Sequence, residues 1–369
     1  MKKLFASALA AAMLFTAGAM ADTTINSTEN RGITLQNVTV NQAVEGVSPT
    51  TGRTLSELTV PDGYAGLAST GRYMPILVQI DNAGGGVGYR APWNMSYADI
   101  VYETPLAMTN RSAYAVETRI SALFSDLIPD DAGPIRSARV GHASIREEWD
   151  CAFVRYGQQE YEHSNVMDFF KETGASKKGV LFNGTDGAKA WTPYFYSRSN
   201  LASPHDKGGN IAAMVGLVSD SFTAAEHTML FTTEAAEGDA ATEIALSWNS
   251  PEYNSTLVYD AATQQYSRYV SDSKTLYVDY DTSTPITFSN VIVQWVECNW
   301  PNVSAPIPQM VGEGNADIFM NGVHIAGYWK RADMSSRTVF YGADGNELQL
   351  QVGSTLISTM PQELNVSYK

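Results

Sequence analysis

Apolar and polar positions change their rhythm several times along the chain, and each change marks an element. Pro75-Ile-Leu-Val-Gln-Ile80 is a short apolar run that stops at Asp81-Asn82, the pattern of a buried strand. Ile100-Val-Tyr-Glu-Thr104 reads the same way. Val116, Thr118, Ile120, Ala122 and Phe124 then alternate with Glu117, Arg119, Ser121 and Leu123, the two-residue period of a strand with one more polar face. Thr109-Asn-Arg-Ser112 lies between these runs and predicts a hairpin. A helix is predicted over 137–149, with Val140, Ala143 or Ser144, and Trp149 on one side. A strand at 151–156 and helices near 164–173 and 209–220 follow.

A break rich in Thr, Ala, Glu and Gly covers 220–240, and the remainder reads as β. Short runs at 242–248, 255–260, 264–270, 275–280, 290–297, 316–320, 323–329, 336–341 and 346–351 are separated by turn residues. Asn321-Gly322 supplies two positions tolerant of positive φ and predicts a tight hairpin; Asp344-Gly345 is a second candidate. The expected fold is therefore α+β: a mixed α/β domain over 66–222, then a mostly antiparallel β domain over 223–369. Residues 22–65, rich in Thr, Asn, Ser and Val, read as a flexible arm.

The first residues say where the protein acts. Lys2 and Lys3 precede an apolar stretch from Leu4 to Ala17, and Ala19-Met20-Ala21 is a small-x-small cleavage site. This is the pattern of a secretory signal peptide over 1–21, and the stretch is short for a spanning helix. Its removal would take the net charge from −15 to −17. No later segment is apolar enough to span a bilayer, so an exported, extracytoplasmic protein of the cell envelope or medium is expected. The acidic balance argues against nucleic acid as a partner, which requires a basic face. Cys151 and Cys298 each sit beside strand-like sequence. Two buried thiols, or a bridge between domains that export would permit, are the readings open.

Candidate chemistry is sparse. Asn82-Ala-Gly-Gly-Gly-Val-Gly88 lacks the Gly-Lys-Ser/Thr of a phosphate loop and reads as a loop. The five histidines make no metal-binding spacing, so neither a metal nor a cofactor is expected. The denser signal is arginine. Gly133-Pro-Ile-Arg-Ser-Ala-Arg139 places Arg136 and Arg139 on one face at a helix start, with Ser137 as its candidate cap. Guanidinium forks suit carboxylates and phosphates. Asp81-Asn82 ends one strand, Glu103 ends another, Arg119 lies on a polar strand face, and His205 follows Pro204 in a loop.

At these residues the chain resembles the YerB-like envelope proteins that carry the DUF3048 domain. The resemblance rests on Ile80-Asp-Asn82, Ala98-Asp-Ile-Val-Tyr-Glu103, Arg119-Ile-Ser-Ala-Leu-Phe124, Gly133-Pro-Ile-Arg-Ser-Ala-Arg139, Pro204-His205, Asn290-Val-Ile-Val-Gln294 and the stretch Gly327–Tyr341 with Asp344-Gly345. It implies a two-part extracytoplasmic protein and no settled activity. Similar proteins often carry a lipid-modified cysteine near the N-terminus, which this sequence lacks. Two readings of function follow. One is a non-catalytic binding or scaffolding protein for a cell-wall or other anionic envelope ligand, or for an envelope protein. Its binding residues would be Asn82, Arg119, Arg136, Ser137, Arg139, Lys330 and Arg337, with His205 adjacent. The other is an envelope hydrolase or transferase acting on a glycan or phosphodiester. There Glu103 or Asp81 would be the general acid or base and His205 a proton carrier, with the arginines as clamp.

Overall fold

The structure is a computed structural model that describes residues 22–36, 42–82, 91–271 and 275–369. The signal-like segment at 1–21 and the glycines at 84–88 lie outside the described residues. Strand makes up 41% of the chain and helix 11%, so the protein is mostly β rather than an even mixture.

One mixed sheet of eleven strands organises it. Its order is Asp239–Ala240, Val323–Arg331, Gly312–Met320, Asn290–Val296, Thr355–Pro361, Ile100–Asn110, Ala115–Phe124, Ile76–Ile80, Ala152–Arg155 and Leu181–Asn183, with Val339–Tyr341 pairing Val323–Arg331. Strands from both halves of the chain therefore share one sheet. The seam is the parallel pairing of Thr355 to Ser358 with Ile100 to Glu103. The Ile100–Asn110 and Ala115–Phe124 strands form the hairpin expected around residue 110. Asn321 and Gly322 both take positive φ, at 53° and 75°, and close the second hairpin with Met320 opposite Val323.

Each face of this sheet is covered. Ile76, Val78, Ile80, Val101, Ile120 and Val291 pack in one core with Leu257, Tyr266 and Val270 of a second, seven-stranded sheet. Leu77, Ile100, Leu123, Phe153 and Ile292 pack on the other side with Ala143, Trp149 and Phe170 from helices Val140–Trp149 and Val166–Glu172. The alternation of side chains along each strand sorts residues into these two cores.

The helix predicted over 137–149 begins only at Val140, because Arg136 to Ala138 are extended. The Arg136 and Tyr156 backbones exchange that segment into the sheet edge: Arg136 N–H donates to Gln79 and Tyr156 N–H donates to Arg136. Ser137 consequently does not cap the helix. Arg139 is the residue at the cap, and its N–H donates to His142 Nδ1 at 2.9 Å. The helix expected at 209–220 spans Ile211–Val215.

Within 22–65, Thr23–Thr24 pairs with Asn365–Tyr368, and Arg31 is buried against Asp317. Thr50 and Thr51 donate to the buried carboxylates of Asp99 and Asp126 at 3.0 and 2.7 Å. Cys151 and Cys298 are separate thiols; burial pushes Cys151 up to about 12. Among the described residues no helix is long and apolar enough to cross a membrane.

Candidate functional site

Strands Ile76–Ile80, Ala152–Arg155 and Leu181–Asn183 run parallel, so their carboxyl ends share one edge of the sheet. In open sheets with parallel strands, that end is where ligands commonly bind. Asp81 follows the first of these strands, and Arg136 to Arg139 cross the ends of the first two. The loop leading into Lys207–Gly209 brings His205 to the same place.

Asp81 is the hub. His205 Nδ1 is hydrogen-bonded to its Oδ2, while Arg136 Nε lies 3.5 Å and an Arg119 terminal nitrogen 3.9 Å from its Oδ1. Burial alone would raise the Asp81 carboxyl. The His205 hydrogen bond and the charges of Arg119 and Arg136 outweigh it and hold the carboxyl below its ordinary value. Arg119 also donates to the Ser137 carbonyl at 2.8 Å and to Ser137 Oγ at 3.2 Å. Arg139 donates to the same Oγ at 3.1 Å and to the Ala138 carbonyl at 3.1 Å. Arg136 donates to the Pro204 carbonyl at 2.9 Å.

Positive charge is in excess here. Burial lowers Arg119 to about 9; Asp81 opposes that shift, and Arg136 and Arg139 add to it. Arg139 is likewise lowered, chiefly by burial. Among the described residues Arg139 meets no carboxylate at ion-pair distance, and Nε of Arg119, Arg136 and Arg139 is buried without a hydrogen-bond partner. Glu117, half-buried in the field of Arg119 and Arg139, is raised by its burial. His142, fully buried in the first turn of the helix, is kept neutral at ordinary pH by its burial.

Glu103 and Asn82 belong elsewhere. Thr118 and Arg119 are strand neighbours and point to opposite faces. Asn82 Nδ2 donates to Thr118 Oγ1 at 2.6 Å and to Glu103 Oε1 at 2.9 Å, and Thr118 Oγ1 donates to Glu103 Oε1 at 2.8 Å. Arg268, from strand Gln265–Val270 of the second sheet, reaches the same Glu103 oxygen at 2.8 Å, with both side chains fully buried. This cluster ties the two sheets together and is separated from Asp81 and His205 by the sheet itself. Lys330 and Arg337 are also apart: Lys330 pairs with Glu313 at 2.9 Å on an exposed surface, and Arg337 pairs with Glu347. The arginine grouping read from sequence thus contracts to Arg119, Arg136 and Arg139 with Ser137.

Sequence reasoning missed Arg268 and Arg198. Arg268 carries a signal, since it shares an inward face with Tyr266 and Val270. Arg198 stacks 3.8 Å from the Trp93 ring, pairs with Asp131 and Asp281, and donates its N–H to Asp206, pinning the loop that carries His205.

Residues 64–221 match the N-terminal domain, and residues 244–357 the C-terminal domain, of a family described as protein of unknown function (DUF3048). A Bacillus subtilis (strain 168) relative named "Putative lipoprotein YerB" is 24% identical over 285 residues, which span 72% of this chain and 76% of the relative. The crystal structure of the YerB protein from Bacillus subtilis matches 88% of this chain and 99% of that one, with a TM-score of 0.66 at 20% identity, a likeness of fold.

Proposed function

This chain belongs to the DUF3048 family, and we propose that it acts outside the cytoplasm as a non-catalytic binding protein for an anionic envelope ligand. The observation that carries the reading is the partly compensated guanidinium cluster. Arg119 and Arg139 both donate to Ser137, and among the described residues Asp81, 3.5 Å from Arg136 and 3.9 Å from Arg119, is the one carboxylate at ion-pair distance from the three arginines, in a chain whose net charge is −15. Self-repulsion of that kind is relieved by an anion with several acceptor oxygens, which guanidinium forks engage through paired hydrogen bonds. Support for the location comes from the signal-like N-terminus and from the lipoprotein name of the relative.

Calorimetric titration of the purified chain with inorganic phosphate and with acetate tests this. Saturable binding that weakens at least about tenfold in Arg139→Ala is expected, the loss of one charge-assisted contact. Absence of binding of either anion would sink the reading.

The His205–Asp81 contact favours a second reading, a hydrolase or transferase acting on a glycan or phosphodiester. A carboxylate on Nδ1 orients the imidazole and leaves Nε2 as the proton carrier. Asp81 would be the partner carboxylate in it, and Glu103, on the other face of the sheet, has no route to His205. Turnover of an activated phosphodiester by the wild type, lost in His205→Asn, would replace the binding reading with this one.

A further inference from the structure

We propose that the ligand's acidic group is taken into the fold, stripped of water, by a row of buried polar side chains that continues inward from Arg119. The inference rests on the anion-binding reading above and deepens it. It adds an inner subsite, whose occupant is an oxyanion that only accepts hydrogen bonds.

Four side chains on neighbouring strands make the row. Gln294 is registered opposite Thr359, and Thr104 opposite Arg119. Thr359 and Thr104 directly follow Ser358 and Glu103, the last registered pair between their two strands. The alternation of side chains puts Gln294 with Ile292, Thr359 with Ile357, Thr104 with Tyr102 and Arg119 with Leu123, all on the helix-covered face of the sheet. At about 4.8 Å per strand, the row leads about 14 Å from the arginine centre into the interior. All four residues are buried, and Arg119 Nε, Thr104 Oγ1, Thr359 Oγ1 and Gln294 Nε2 have no hydrogen-bond partner among the described residues.

The helix on this face adds a donor of the same kind. The Arg139 N–H donates to His142 Nδ1, so the neutral imidazole carries its proton on Nε2, and that N–H is also buried without a partner. Arg119 Nε, His142 Nε2 and Gln294 Nε2 can only donate, and the two threonine hydroxyls have a proton to give. None of the four residues in the row is acidic. Donors buried without acceptors cost the fold free energy. A phosphate or carboxylate brings several lone pairs and no proton to compete, so it meets several of these donors at once. An ammonium group would add donors to donors.

The hairpin of strands Cys298–Asn302 and Ala305–Pro308 lies over this end of the face, packed between strand Ile100–Asn110 and helix Val140–Trp149. The Met108 N–H donates to the Val303 carbonyl at 2.7 Å, Gln159 Nε2 donates to the Ser304 carbonyl, and Pro308 lies against Gly141. The hairpin is a two-stranded sheet of its own, so it can lift to admit an anion without breaking either large sheet.

Thr104→Val combined with Thr359→Val keeps the shape of both side chains and removes both hydroxyls. On titration of the full chain with inorganic phosphate, affinity is expected to fall at least about tenfold in this double variant. Its urea midpoint should hold or rise, because a methyl replaces an unmet buried hydroxyl. Ser358→Ala is the control. Its Oγ is equally buried and unpartnered but lies on the Glu103 side of the sheet, so phosphate affinity should stay at the wild-type value. Equal affinity in wild type and double variant, or an equal loss in Ser358→Ala, would overturn the inner subsite and leave the outer arginine site standing. A clear drop in the double variant's midpoint would also overturn it, by showing that the fold itself satisfies these hydroxyls. Failure of the wild type to bind either phosphate or acetate would overturn the subsite and the anion reading together.

Discussion

Asp81 and Asn82 are adjacent in the chain and serve opposite faces of the central sheet: Asp81 meets His205 and Arg136, Asn82 meets Glu103 and Thr118. The dipeptide therefore belongs to two clusters with different work. One is half open and positively charged; the other is sealed between sheets and holds a matched Glu103–Arg268 pair.

Glu103→Gln separates the two. Neutralising Glu103 leaves the Arg268 charge buried without its partner, and breaking a buried pair in that way costs about 3–5 kcal/mol. A large drop in the urea midpoint is expected, with phosphate affinity of the folded fraction unchanged. A variant that keeps its midpoint but loses the ligand would place Glu103 in the ligand site and undo the assignment.

Asp81→Asn acts on the other face. It removes the carboxylate nearest Arg119 and Arg136, so anion affinity at neutral pH should rise several-fold, as the internal competitor is gone. The Asp81 carboxyl is held below its ordinary value in the fold, so its contribution to stability is present above that ordinary value and is lost as pH falls through the lower, folded one. The variant should lack this acid limb. Equal affinity and equal acid sensitivity in the two proteins would count against the hub role of Asp81.

At the far end of the same hairpin, Asp99 and Asp126 form a buried carboxylate pair. Burial, then the charge of Asp126, pushes Asp99 up to about 7 against the hydrogen bonds from Ser125, the Asp126 N–H and Thr50. Asp126 is raised as well, mainly by burial, with Arg53 opposing. Tyr73, half-buried nearby with its hydroxyl enclosed, is itself raised by burial, then by Cys151, Asp99, Glu226 and Asp126. A carboxyl raised in the fold stays protonated where the unfolded chain has already ionised, so stability falls as pH rises from the ordinary carboxylate value to about 7 and then levels. Urea midpoints should thus be lower at about pH 8 than at about pH 5, and Asp99→Asn should flatten the difference. A slope left unchanged in the variant would show that other groups set it.

Legibility from sequence followed contact range. Strands Ile76–Ile80 and Ala115–Phe124 and the Asn321-Gly322 turn are set by residues a few positions apart, and periodicity exposed them. The seam between Ile100 and Thr355 joins positions far apart in the chain, and no local pattern encodes which strands will be neighbours. The same holds within the site. Arg136, Ser137 and Arg139 cluster because they are close in sequence, although as an extended segment rather than a helix turn. Lys330 and Arg337 look identical to them as residue types, and only the fold assigns them to Glu313 and Glu347. Net charge likewise concealed the local excess at Arg119, since it sums over surfaces that never meet.

The N-terminal segment offers the sharpest structural test. Arg31 reaches both oxygens of Asp317 at 2.9 Å and the carbonyls of Ala316 and Gly327 at 2.7 and 3.0 Å. Asp317 is fully buried and also accepts from Trp295 Nε1 at 2.6 Å and meets His324 Nε2 at 2.7 Å. Burial would raise its carboxyl, but His324, Arg31 and Trp295 together hold it below its ordinary value. Arg31→Ala strips the only arginine from this carboxylate among the described residues and leaves the negative charge buried, a loss of about 3–5 kcal/mol. Arg31→Lys should recover little of it, because one ammonium cannot reproduce a fork that serves two carboxylate oxygens and two carbonyls. If the segment is held mainly by this contact, protease cleavage within residues 22–36 should accelerate in Arg31→Ala, and adding Asp317→Asn should cost less than the sum of the two single changes. A midpoint and cleavage rate equal to wild type would mean instead that the pairing of Thr23–Thr24 with Asn365–Tyr368 holds the segment by itself.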